Sequence, residues 1–275
     1  MTSLRGVRMT TRNTDLGWWG DYVFDAQGAR RWRIGPLVLW IARRTGEWRI
    51  GHRIDAGNVG DVSERGVPAT LDELETADAV VRYGARGEDD RLSLMPALAD
   101  RAVVSRPDRP FVVPGHEEVT LYVGTPLWLR AFAGASATLL RDVPIQRPSD
   151  TWLGPPTHEG ELCYASRTFC RLHLDDVPVW PHRAVSVVTI RNRSSSPLAI
   201  ERLKLPVTSL GLYVAHGRLW TEAVTLEWVS GTDLANFAMQ PGAPLEAGGG
   251  IALAPPRAAG APSSAVVRAF STLFG

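Results

Sequence analysis

Over most of this chain apolar residues recur at every second position, the period of strands rather than helices. The runs LVLWI (37–41) and WRI (48–50) flank Arg44-Thr45-Gly46-Glu47, which predicts a β-hairpin with a short glycine-bearing turn. A two-residue loop at Thr45-Gly46 sets Leu39 and Ile41 on one face with Trp48 and Ile50, and Val38 and Trp40 on the other. Both faces are apolar, so the hairpin is expected between two layers or at a contact between sub-domains.

Further on, FVVPGHEEVTLYV (111–123) gives an apolar run, a Pro-Gly turn and then alternation, with PLWLRAF (126–132) as a continuation after a break. VSVVTIRNRSSSPLAIERLKL (185–205) reads as two strand runs joined by the polar turn NRSSSP into a hairpin. Residues 212–214 and 219–228 bracket His216-Gly217, with Val224, Leu226 and Trp228 alternating against Thr225 and Glu227. Helix signals are few. Thr70 followed by Glu73 predicts a capping box and a short helix to about Val81. Ser263 or Ser264 would cap a second helix, placing Val266, Phe270, Leu273 and Phe274 on one apolar face after the Gly/Pro/Ala-rich stretch 241–262. The expected fold is all-β: an antiparallel β-sandwich, as one or two packed sub-domains, with a short C-terminal helix. The expected division is 1–110, 111–240, and a linker with its helix over 241–275.

Composition adds mainly exclusions. With 30 basic and 29 acidic residues the net charge is +1, so the field that attracts nucleic acid is missing. Lys204 is the only lysine; the arginine bias is read as a habit of the coding sequence. Two cysteines are too few for a disulfide framework, which favours a cytoplasmic home and leaves open whether Cys163 and Cys170 pair. The N-terminal residues lack the apolar core of a secretory signal, and no apolar run is long enough to insert in a bilayer. Asn192-Arg193-Ser194 fits a glycosylation sequon but is read as a turn.

Unusual chemistry concentrates in SDTWLGPPTHEGELCYASRTFCR (149–171), which holds Trp152, a Gly-Pro-Pro turn, an acidic stretch with a histidine, and both cysteines. Glu161 and Cys163 would share a strand face, and with His158 and His173 they offer a mixed N, O and S donor set of the kind zinc or iron accepts. No closed ligand spacing supports it, and polar residues on an edge strand account for the same pattern. No nucleophile elbow, phosphate loop or dinucleotide fingerprint occurs. Cys163, alternating with Leu162 and Tyr164, reads as a small core residue. The ten tryptophans suggest a sugar-binding alternative on Trp18, Trp19 and Trp152, weighed against plain core packing.

The 149–171 run, with GPLVLWIARRTGEWRIGHR before it and IRNRSSSPLAIERLKLPVTSLGLYVAHGRLWTEAVTLEW after it, resembles uncharacterised prokaryotic proteins grouped as a domain of unknown function. The TW-G turn, the GELCY strand and the RLWT strand carry that resemblance over residues 18–230. It transfers no catalytic residue. It implies a gene neighbourhood shared with small-conductance mechanosensitive channels, hence a soluble accessory or regulator of such a channel. The expectation is therefore a non-enzymatic protein acting by protein contact through Trp152, Val266, Phe270, Leu273 and Phe274, with no cofactor and with self-association open. The rivals are a metal-dependent enzyme using His158, Glu161, Cys163 and His173, and a glycan or small-ligand binding module.

Overall fold

A computed structural model of the chain describes residues 17–56, 63–85, 90–154, 160–166, 168–229, 234–258 and 264–271. The predicted hairpin is present as Leu37–Arg44 and Glu47–Ile54, paired Ile41 to Ile50 and Arg43 to Trp48 around Thr45-Gly46. Its two apolar faces are both buried. Leu39, Ile41, Trp48 and Ile50 enter the main core, while Val38, Trp40 and Ala42 pack with Leu74 of the helical turn Leu71–Leu74. The capping box is formed: the Thr70 hydroxyl accepts the Glu73 N–H at 3.2 Å, and the Glu73 carboxylate accepts the Thr70 N–H at 2.7 Å. The helix stops well short of Val81, because Ala79–Gly84 pairs with the hairpin strand Glu47–Ile54. Two successive valines there favour the pleated backbone over a second helical turn.

The protein is nearly all β. A five-stranded sheet built on the hairpin lies beside an 11-stranded sheet, a second five-stranded sheet and a two-stranded ribbon. The spine of the largest sheet is Glu118–Ala133, one strand of 16 residues that runs unbroken through Pro126. Before Pro126 it pairs with Arg183–Asn192; beyond it the strand pairs with Arg91–Leu98 and Thr138–Pro144. A residue without an N–H fits at the point where partners change.

The expected hairpin across NRSSSP does not form. Arg183–Asn192 pairs with the long spine and, in parallel, with Arg218–Thr221 and Ala223–Trp228, whereas Leu198–Ile200 turns away to pair with Phe111–Val113. Buried Asn192 redirects the chain. Its Nδ2 donates to the carbonyls of Val113, Pro114 and Ser196 at 3.0, 3.0 and 2.8 Å, and its Oδ1 accepts the N–H and hydroxyl of Ser194 at 3.0 and 2.9 Å. One side chain thus replaces the ladder that a hairpin would have supplied. The turn at His216-Gly217 is a hairpin turn, with both residues at positive φ, 50° and 71°.

The predicted C-terminal helix is instead strand. Ser264–Arg268 pairs with Leu234–Gln240, and Phe270–Ser271 pairs with Arg202–Leu205. Adjacent β-branched Val266 and Val267 suit the pleat, which sends them to opposite faces. Val266 is consequently 67% exposed while Phe270 is 3% exposed, in the core, so the two do not share one apolar face. Leu273 and Phe274 lie outside the described residues. The main core extends from Trp18 to Phe270 and includes Trp32, Trp48, Trp128 and Trp228.

Candidate functional site

The second five-stranded sheet runs, edge to edge, through Asp150–Leu153, Glu161–Ala165, Val103–Ser105, Arg202–Leu205 and Phe270–Ser271. It gathers the 149–171 run onto a scaffold that sequence distance concealed. Strand alternation puts Thr151, Glu161, Cys163, Ala165, Val104, Arg202 and Lys204 on one face. Trp152, Leu162, Tyr164, Val103 and Leu203 take the other.

On the first face the only lysine, with its side chain 7% exposed, forms an ion pair with Glu161. Cys163 is fully buried with Ala102, Val104 and Leu153, and its thiol contacts the Glu161 carbonyl at 3.7 Å. Burial, reinforced by the Glu161 charge, pushes that thiol up to about 11. Burial likewise pushes Cys170 up to about 11. Both cysteines are free and buried, an environment that disfavours the thiolate at neutral pH.

The expected donor set is only partly brought together. Glu161 and Cys163 share a face, but the Glu161 carboxylate is engaged by Lys204. His173 is exposed and stands outside the sheet, just before the turn Leu174–Asp176; His158 lies outside the described residues. Among the described residues no three metal-ligating side chains converge.

The tryptophans divide. Trp18 is fully buried, its Nε1 donating to the Pro181 carbonyl at 2.8 Å, and packs edge-on against Trp19. Trp19 and Trp180 line a cleft of about 280 Å³, but Trp180 already stacks on His182 at 5.5 Å and carries the Arg183 guanidinium over its ring. Trp152 is 44% exposed and sits directly opposite Leu162, 43% exposed, on the outermost strand.

A second cleft, of about 440 Å³, opens beside the sheet, and the 149–171 run lines it with Thr151, Ala165, Ser166 and Phe169. Its other wall brings Arg106, Asp108, Glu201 and Arg202, of which sequence reasoning singled out none. The alternation in ERLKL could have placed Arg202 beside Lys204 on one strand face; nothing in SRPDRP marks Arg106. Cys170 helps position that arginine, since its N–H donates to the Arg106 carbonyl at 3.0 Å.

The architecture defines an all-β protein with a charged cleft beside one of its sheets. The chain belongs to the family described as "Protein of unknown function (DUF432)", whose model matches residues 18–274. That match continues past residue 230, where the recognisable motifs stop, and takes in the final strands. No curated protein and no solved structure matches the chain. Among the described residues no helix is long and apolar enough to cross a membrane.

Proposed function

We propose that this chain is a non-enzymatic protein that works by protein contact, taking an extended segment of its partner along the Asp150–Leu153 edge. The observation that carries this reading is the exposed Trp152–Leu162 pair on an outer strand. Among the described residues that strand has a neighbour on one side only. An added strand would satisfy the open backbone groups, and an apolar side chain on it would cover Trp152. Tryptophan at the centre of such a contact supplies a large share of binding energy. We read the sheets as a β-sandwich, supported by the hairpin buried on both faces. The partner we propose is a small-conductance mechanosensitive channel, with this protein on its cytoplasmic side, as the resemblance implies.

The test mixes the purified protein with a detergent-solubilised mechanosensitive channel of the same source and follows the complex by size-exclusion chromatography. Complex formation is expected, weakened at least about tenfold by Trp152→Asp. An absent complex, or one indifferent to Trp152→Asp while the variant remains folded, overturns the reading.

A further inference from the structure

We propose that the 440 Å³ cleft binds a small phosphate monoester, its phosphoryl group clamped between Arg106 and Arg202. The argument begins with register. Leu205 pairs with Val103, Lys204 with Val104 and Leu203 with Ser105; the ladder ends there, and the residues next along each chain, Arg202 and Arg106, both line the cleft. Like charges brought together from neighbouring strands repel, and proteins ordinarily separate them or place a carboxylate between them. Of the described acids nearby, Glu161 is engaged by Lys204, Asp150 by Arg101 at 3.6 Å and Asp108 by Arg171 at 3.9 Å, while Glu201 lines the cleft without an ion pair to either arginine. Among the described residues neither Arg106 nor Arg202 has an ion-pair partner. The Arg202 guanidinium is nonetheless oriented, since it donates to the Thr151 hydroxyl at 2.5 Å.

Two guanidinium groups on one cleft lining, neither held in an ion pair, match a dianion, and each offers a fork of donors suited to phosphate oxygens. A single carboxylate would neutralise only one of them. The cleft volume of about 440 Å³ falls within the range of small-molecule sites. Phe169, 40% exposed with Arg171 over its ring at 5.7 Å, supplies an apolar wall for the organic part. Asp108 and Glu201, on the same lining, disfavour a long polyanion and suit a ligand whose remaining groups are hydroxyls or an amine.

The experiment is titration calorimetry on the full chain in phosphate-free buffer, with inorganic phosphate and glycerol 3-phosphate as soluble probes. Phosphatidic-acid vesicles, followed by co-sedimentation, serve as the lipid arm. Saturable one-to-one binding of a soluble probe, weakened at least about tenfold by Arg106→Gln or Arg202→Gln, is expected. Vesicle binding without soluble binding, equally sensitive to both substitutions, supports the same phosphoryl site with a lipid as its source. Binding unchanged in the double variant, succinate bound more tightly than phosphate, or silence in every arm overturns the proposal. Arg106 is exposed, so Arg106→Gln keeps the test valid if Arg202→Gln fails to fold. Trp152→Asp should leave phosphate binding intact, so failure here is separate from failure of the partner edge.

Discussion

Replacing Asn192 with alanine should destabilise the protein by about 3–4 kcal/mol, far more than a polar turn residue ordinarily contributes. Asn192 is 1% exposed, and its amide serves three carbonyls together with the N–H and hydroxyl of Ser194. Its two N–H groups are shared among three acceptors, so the set amounts to about four full bonds at about 1 kcal/mol each. Alanine would remove the side-chain donor from the carbonyl of buried Val113 in a place water reaches poorly, while the Pro114 carbonyl keeps the Glu117 N–H at 3.3 Å. Urea unfolding reads the effect as a lower midpoint with an unchanged m-value. Arg193→Ala is the control, because that neighbouring side chain is 58% exposed and makes only a surface pair with Glu227; it should cost less than about 1 kcal/mol. Asn192→Asp should be worse than alanine at neutral pH, since it turns a carboxylate oxygen toward three carbonyls. Repulsion raises the folded pKa of that new carboxyl, so its deficit relative to wild type should shrink as pH falls. A loss below about 1 kcal/mol for Asn192→Ala would refute the account of this turn.

Two further outcomes follow from burial. Thiols held at about 11 are roughly one part in a thousand ionised at pH 8, against about one in four for an ordinary thiol. Cys163 and Cys170 should therefore react with Ellman's reagent at least about a hundredfold more slowly in the native protein than in urea; prompt native reaction of either would revive a nucleophilic role. Buried His182 is held down to about 4 by desolvation first and the Arg183 charge second. Its unfolded form takes up a proton near 6.5 while the folded form stays neutral, so stability should fall as pH drops from about 6.5 to 4, by up to about 3 kcal/mol. His182→Phe should flatten the urea midpoint over that window, and an undiminished slope would assign the effect to other groups.

The elements legible in the sequence were those held by short-range rules. The Thr45-Gly46 and His216-Gly217 turns and the Thr70–Glu73 capping box are written in neighbouring residues, and they formed. The misreadings have a common cause. A period of two identifies a strand and its faces but is silent about its partner, so RNRSSSPLAI fits a hairpin, whereas Asn192 bonds to residues 78 and 79 positions away. The chain end fits an i, i+4 stripe on paper, yet Leu234–Gln240 offered Val266 and Val267 an open edge.

The candidate site shows the same limit more sharply. The 149–171 run was visible as unusual, but its Thr151, Ala165, Ser166 and Phe169 acquire meaning only beside Arg106 and Arg202, which arrive on two other strands or their continuations. The pleat then separates the chemistry into two surfaces. Thr151 faces the cleft and holds Arg202, while the next residue, Trp152, faces Leu162 on the opposite side. A one-residue slip of this strand would exchange hydroxyl for indole and erase both surfaces at once. The register of Asp150–Leu153 against Glu161–Ala165 is therefore the quantity on which the cleft and the edge both depend.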